Sequence, residues 1–222
     1  MTFNIAIDGP AGAGKSTIAK NIARELSFIY VDTGSMYRAM AIYFMESGLD
    51  SGDRERIEAA ANGADVRLVY ENGVQQVILN GENVTPRLRE EAVGAAASVT
   101  SAYPAVRAHL LNLQKHIAET ENVVMDGRDI GTCVLPNADV KVYLTASSRV
   151  RAERRVKELE EKGQTCDFEE IKKGIEERDY RDMNREIAPL KQAEDAILID
   201  SSDMDIREVT EKILELVHEK RC

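Results

Sequence analysis

The sequence predicts an α/β protein built on a five-stranded parallel sheet flanked by helices. Five short runs rich in Ile, Val, Leu and Tyr (Asn4 to Asp8, Ile29 to Asp32, Asn122 to Asp126, Asp139 to Leu144, Ala196 to Asp200) alternate with helix-like sequence. Near-continuous apolar runs of this length suit strands buried on both faces, as parallel sheets require. Three of the runs stop in Asp followed within two residues by Gly, at Asp8, Asp32 and Asp126. In open parallel sheets ligands bind beyond the carboxyl ends of the strands, where these polar residues would gather.

The helical pattern covers Lys15 to Leu26, Ser35 to Glu46, Asp53 to Asn62, Pro86 to Thr100, Pro104 to Glu119, Ser147 to Glu161, Asp167 to Arg185 and Asp203 to Glu219. Each carries apolar residues at the spacing that buries one stripe of a helix. The stretch Asp65 to Val84 behaves differently. Val66, Leu68 and Tyr70 lead to the tight-turn pair Asn72-Gly73, and Val74 to Leu79 runs back to Asn80-Gly81. That is a hairpin signal with a third short strand, a small antiparallel insert in an otherwise parallel pattern.

Composition sets the outer bounds. With 222 residues, 43% hydrophobic and 31% charged, the chain suits one sizeable soluble domain. We divide it into a core of residues 1–62, 101–148 and 186–222, the insert 63–100, and a lid with an arginine-bearing helix over 149–185. Lys+Arg 29 against Asp+Glu 39 gives a net charge of −10, which argues against nucleic acid as a partner, since binding its backbone needs a large basic face. The 3 Cys, at 133, 166 and 222, have no metal-ligand spacing and point to a reducing compartment. No run approaches the ~18 apolar residues that span a bilayer, so we expect no membrane association, a cytoplasmic location and, with no apolar seam evident, a monomer.

The strongest local signal is Gly9-Pro10-Ala11-Gly12-Ala13-Gly14-Lys15-Ser16, which fits G-x-x-x-x-G-K-[ST] between a strand and a helix. Such a P-loop closes backbone N–H groups around phosphate oxygens at a helix N-terminus. The fold class is then that of the P-loop NTPases. Lys15 is expected to reach the β- and γ-phosphates, Ser16 to help hold Mg²⁺, and Thr17 to serve near the α-phosphate. Asp126 either assists Mg²⁺ or caps the turn after its strand. The base-reading and γ-phosphate-sensing segments of a guanine-nucleotide switch are not found, which disfavours simple regulatory GTP binding.

Arginine is unevenly placed for so acidic a chain. Arg149, Arg151, Arg154 and Arg155 open one helix, and Arg178, Arg181 and Arg185 share another, with Arg178, Asp182 and Arg185 on one stripe. Gly163 lies between the two helices as a hinge. Phosphoryl transfer uses such cations, because the transferring group spreads charge over three oxygens and catalysis is mainly positioning and charge stabilisation, with one arginine worth about 10³ to 10⁵ in rate. Asp32-Thr33-Gly34-Ser35-Met36-Tyr37-Arg38 and Asp126-Gly127-Arg128-Asp129 each deliver an arginine to the strand-end crevice. An arginine pair fits an acceptor that already bears a phosphate, and Asp129 can accept from an amino group on a base.

These segments, with Ala102 to Arg107, Asp126 to Thr132, Glu177 to Leu190 and the hairpin insert, resemble the bacterial cytidylate kinases over essentially the whole chain. The resemblance implies a nucleoside monophosphate kinase fold with a monophosphate-binding insert, and ATP-dependent, Mg²⁺-assisted phosphorylation of CMP and dCMP. It assigns the acceptor phosphate to Arg38 and Arg128, the cytosine to Ser98, Arg107 and Asp129, and the sugar to Asp182. Arg178 and Arg185 would lie near the phosphates, and Thr33 would line the acceptor pocket. Among the lid arginines we take Arg155 as catalytic, beside Lys15, Asp126, Arg128 and Arg178. The alternatives are another P-loop kinase of UMP or shikimate type and a non-catalytic nucleotide-binding module.

Overall fold

The apolar runs pair side by side into the expected sheet. A computed structural model describes residues 2–71 and 73–221, so Met1, Cys222 and the Asn72 of the expected tight turn lie outside the described residues. The chain begins with β1 (Asn4–Asp8), α1 (Lys15–Leu26), β2 (Ile29–Asp32), α2 (Thr33–Glu46) and α3 (Arg54–Ala60). Next come β3 (Val66–Glu71), β4 (Val74–Leu79), β5 (Glu82–Asn83), α4 (Glu91–Thr100) and α5 (Pro104–Thr120). β6 (Val123–Gly127), a π-helical turn at Ile130–Val134, β7 (Val140–Thr145), α6 (Ser148–Glu161), α7 (Phe168–Asn184), β8 (Ile197–Asp200) and α8 (Ile206–Arg221) follow.

The main sheet has five parallel strands in the order β2-β6-β1-β7-β8. Its register sets Asp32 beside Asp126 and Asp8 beside Gly127, so the three strand-ending aspartates meet at one edge. One face packs Ile5, Ile7, Val142 and Ile199 against Ile18 and Ile22 of α1 and Val209, Ile213 and Val217 of α8. The other face packs Ala6, Val31 and Met125 against Ala118 of α5 and against Ile130 and Val134 of the π-helical turn. β3, β4 and β5 form a separate antiparallel sheet. Its Val77 and Leu79 share an apolar cluster with Met40 and Phe44 of α2, Val93 of α4 and Leu110 of α5.

Two helices depart from the expected ranges. The run from Pro86 splits into a 3-10 turn, Thr85–Arg87, and α4, because Glu90 is extended (φ −61°, ψ 138°) while Leu88 is drawn into the core. The run from Asp53 ends at Ala60 and tightens into a 3-10 turn, Ala61–Gly63. α8 starts at a reciprocal cap, with Asp205 Oδ1 accepting from the Glu208 N–H and Glu208 Oε2 accepting from the Asp205 N–H, both at 2.8 Å. Among the described residues no helix is long and apolar enough to cross a membrane.

Candidate active site

The loop Gly9 to Gly14 leaves the end of β1 and turns into α1. Gly9 has φ +148°, and a Cβ there would stand 2.9 Å from the carbonyl carbon of Leu144 and overlap its oxygen, so only glycine lets the loop pass β7. Gly14 caps α1 at φ +91°. Lys15 is 5% exposed, and its Nζ donates to the Pro10 carbonyl at 2.8 Å. Pro10, Ala11, Gly12 and Ala13 complete the loop, with Ser16 half-buried and Thr17 exposed on the first turn of α1.

Asp126, at 4% exposed, faces this loop from β6. Ser16 Oγ donates to its Oδ2 at 3.0 Å and the Tyr30 hydroxyl to its Oδ1 at 2.8 Å. Its side chain thus turns toward the phosphate loop, while its carbonyl accepts from Thr33 Oγ1 at 2.8 Å. Burial, and then the neighbouring Asp32, push the Asp126 carboxyl up to about 6. Burial, and then the positive field of Arg128, push Lys15 down to about 7. An acid and a base whose charged forms are both disfavoured mark a site that awaits other charges.

The arginines supply part of that surplus. Burial lowers Arg38, which lies within the fields of Asp32, Arg89 and Arg128. Burial and then Arg128 lower Arg178 to about 10, and its Nε is buried without a hydrogen-bond partner. Arg128 Nε donates to Asp182 Oδ2 at 3.0 Å, joining the loop after β6 to α7. Arg38, Arg128 and Arg178 thus lie within one another's fields, and Arg128 and Arg178 within that of Lys15, an arrangement that favours an anion.

Beside them, Asp129 is held from two sides. Arg107 Nη2 donates to its Oδ2, and Arg185 Nη2 to its Oδ1 at 3.3 Å. The Arg107 guanidinium also lies 5.5 Å from the centre of the Tyr37 ring. Ser98 Oγ, on α4, is buried without a hydrogen-bond partner. Thr33 is 3% and Asp182 6% exposed.

The lid arginines divide sharply. Arg151 is 5% exposed; its Nε donates to the Ala146 carbonyl at 2.9 Å and its Nη1 to Ala11 in the phosphate loop at 3.0 Å. The same guanidinium grips Asp179 of α7 through both terminal nitrogens, at 3.1 and 2.5 Å. Arg149 pairs with Glu153 and Arg154 donates to the Ser201 carbonyl. Arg155 is exposed and pairs with Glu158, so it is not brought to the cleft. Gly163, the expected hinge, has φ +73° between α6 and α7.

Tyr30 and Arg89 are not among the residues the sequence marks for the site, while Asp8 is marked only as a strand-ending polar residue and Arg151 only as one of four lid arginines. Tyr30 precedes Asp32 by two positions and so shares its strand face, a signal the period of a strand carries. For the others the contact is made across the fold, and spacing holds no trace of it.

The donors at the phosphate loop, Ser16 Oγ and the Asp126 carboxylate, are hard oxygens. They fit Mg²⁺, which takes one or two protein oxygens and completes its shell with phosphates and waters. Among the described residues there is no cluster of three or more His, Cys, Asp or Glu that would make a metal cage independent of substrate.

Comparison with known proteins gives the family. The family model described as "Cytidylate kinase" matches residues 5–219. A cytidylate kinase from Caldicellulosiruptor saccharolyticus is 47% identical over 216 residues, covering 97% of this chain and 96% of that one. One from Thermotoga maritima is 45% identical over 221 residues, covering 99% of both. Among solved structures, a shikimate kinase from Bacteroides thetaiotaomicron is similar with a TM-score of 0.50 at 18% identity, covering 97% of this chain and 98% of that one. An uncharacterised protein from Eubacterium ventriosum is similar with a TM-score of 0.56 at 13% identity, covering 98% and 99%. At those identities the two structures speak for the fold alone.

Proposed function

The chain belongs to the cytidylate kinase family, and from that premise we propose that it transfers the γ-phosphoryl group of ATP to CMP and dCMP, by direct in-line displacement with Mg²⁺. The observation that carries the reading is the set of half-buried guanidiniums Arg38, Arg128 and Arg178, the last two within the field of Lys15, with Arg178 Nε left without a partner. Cations gathered in a buried site are stabilised by phosphate groups, and a nucleoside monophosphate meeting ATP end to end brings such groups to this place.

The residues divide the work. Backbone N–H groups of the phosphate loop cradle the donor, and Lys15 follows the β- and γ-phosphates. Its ammonium, disfavoured by burial, is restored when anionic oxygens arrive. Arg38 and Arg128 hold the acceptor phosphate, and Arg178 neutralises charge that grows on the transferring group. Ser16 and Asp126 would hold Mg²⁺, which when bound would neutralise charge on the donor phosphates. Asp182, now engaged by Arg128, would meet the sugar, and Arg185 steadies Asp129.

Base choice rests on Asp129 and Arg107, an acceptor beside a donor. The carboxylate accepts from the N4 amine of cytosine, and the guanidinium donates to its O2 or N3; uracil opposes a carbonyl to the carboxylate. Ser98 Oγ, buried and without a partner, is a further polar group at this side of the site. The two described cysteines, Cys133 and Cys166, form no disulfide, which supports the reading of a cytoplasmic enzyme.

A coupled assay for ADP release with CMP, dCMP, UMP, AMP, GMP and shikimate tests the proposal. We expect fast turnover with CMP and dCMP and slow turnover with the rest. ATP turnover stimulated by shikimate or another monophosphate and not by CMP would replace the reading with that of a different P-loop kinase.

A further inference from the structure

The loop that carries Arg128 and Asp129 is fastened by a residue from the donor half of the site. Asp8 ends β1 immediately before the phosphate loop and is 4% exposed. Its Oδ1 accepts from the Ile130 N–H at 2.8 Å and its Oδ2 from the Gly131 N–H at 2.7 Å. These N–H groups open the π-helical turn Ile130–Val134, where the first donors of a helical turn have no partner of their own. The approach is close: a Cβ on Gly131 would stand 3.3 Å from Asp8 Oδ2 and 3.2 Å from the Lys141 side chain.

Asp129 directly precedes that turn, with a backbone (φ −144°, ψ 27°) outside both helical and strand regions. It is in this conformation that its carboxylate meets Arg107 and Arg185. Two charge-assisted hydrogen bonds to consecutive N–H groups fix both the position and the tilt of the turn. A single bond would leave it free to pivot.

We propose that Asp8 is a positioning residue for the acceptor base: by clamping Ile130 and Gly131 it holds Asp129 in the orientation that selects cytosine. The inference rests on the reading of Asp129 and Arg107 as the base-selective pair. It competes with a simpler role, that of counter-charge to Lys15, within whose field Asp8 also lies. The two roles separate by substrate, because a counter-charge to Lys15 acts on ATP, whereas a clamp on the Asp129 loop acts on CMP.

The test is steady-state kinetics of the wild type, Asp8→Asn and Asp8→Ala with ATP against CMP and UMP, with thermal melting of each. Asp8→Asn keeps the shape and one acceptor oxygen but turns an N–H₂ toward the second N–H. We expect its KM for CMP to rise about tenfold or more, and the CMP to UMP ratio of kcat/KM to fall in step, as misplaced binding groups do. KM for ATP should move by less than about twofold. Asp8→Ala should go further in the same direction, and if it does not fold, Asp8→Asn carries the test. A rise in KM for ATP that matches or exceeds that for CMP would overturn the proposal, as would an unchanged CMP to UMP ratio. A loss of kcat with both KM values and the ratio intact, which a merely structural role gives, would do the same. Wild-type protein that fails to phosphorylate CMP sinks the functional reading and this one with it; active wild type with selective Asp8→Asn sinks this one alone.

Discussion

Arg151 donates through Nη1 to the carbonyl oxygen of Ala11 at 3.0 Å, so a lid helix is bonded to the phosphate loop itself. The same side chain holds Asp179, whose neighbour Arg178 lies within the field of Lys15. One guanidinium therefore couples the phosphate loop to the helix we propose to supply a transfer cation. Arg151→Ala should destabilise the protein by about 3 kcal/mol, since it strands the largely buried Asp179 carboxylate. Urea unfolding checks this. KM for ATP should also rise by about tenfold as the loop and α7 lose register. Arg151→Lys should rescue little, because an ammonium cannot repeat the two-pronged grip on Asp179. Arg155→Ala, on the outer side of the lid, should change neither.

Lys15 gives a prediction in the opposite sense for stability. Its folded value of about 7 lies below the ordinary 10.5, so its ionisation contributes stability present above 10.5 and lost as pH falls through 7. Asp8 and Asp126, raised from 3.8 to about 6, contribute stability present below 3.8 and lost as pH rises through 6. Together they give the ligand-free protein a trough near pH 6 to 7. Lys15→Met should therefore abolish turnover, lowering kcat by about 10³-fold, while leaving stability at pH 6.5 equal to or above that of the wild type. The gain should vanish above pH 10. Denaturant midpoints from pH 4 to about 11 for both proteins measure it; a loss of stability at pH 6.5 would refute it.

Gly9→Ala tests the passage of the loop under β7. The added methyl would overlap the Leu144 carbonyl, and φ +148° is a conformation that alanine resists. The strand β7 is paired on both sides, with β1 and β8, and cannot yield, so the loop must. We expect loss of measurable ATP binding by calorimetry and destabilisation of about 2 kcal/mol or more.

How far the sequence carried these conclusions depends on the range of the interaction concerned. β1, β6 and β7 are legible because burial on both faces imposes an apolar run that local sequence records; the edge strands β2 and β8 carry a similar run although Ile197 and Leu198 of β8 are exposed; and the phosphate loop is legible because its glycines answer a local backbone demand. Arg38, Arg128 and Asp129 are legible at one remove, from strand ends known to converge. Ser98 and Arg107 entered only through family resemblance, since a serine on a helix and an arginine in a first turn carry no local mark of a shared site. The lid arginines show the limit. Four arginines within seven positions look alike in sequence, and only the packing of α6 against the phosphate loop and α7 turns Arg151 inward and Arg155 outward.

The insert is tied to the start of α2, beside the crevice we propose for the acceptor, by Gln75 of β4, whose Oε1 accepts from the Asp32 N–H at 3.0 Å and whose Nε2 donates to Ser35 Oγ at 2.6 Å. Both partners stand at the start of α2, one turn before Arg38. Gln75→Ala frees that turn without disturbing the core, as Gln75 is only half-buried. KM for CMP should rise by about three- to tenfold with KM for ATP unchanged; equal effects on both substrates would show that the contact serves the fold and not the acceptor.

Base selection offers the sharpest test of the site. In the buried pair of Arg107 and Asp129, the side chains are 10% and 6% exposed, so little water is left to mask a mismatched hydrogen bond. A carboxylate there can only accept, and cytosine meets it with an amine. Uracil meets it with a carbonyl, setting two acceptors against each other at the cost of desolvating both. Asp129→Ala removes the repulsion along with the attraction, so it should slow CMP far more than UMP. Asp129→Asn should go further, because an amide can rotate to offer its N–H₂ to the uracil carbonyl while its oxygen still accepts from Arg107. We expect the CMP to UMP ratio of kcat/KM to fall by about 10²-fold in Asp129→Asn, with the gain for UMP appearing mainly in KM. If CMP and UMP lose activity in equal proportion in both variants, Asp129 orders the loop without reading the base, and selectivity must be assigned to another part of the pocket.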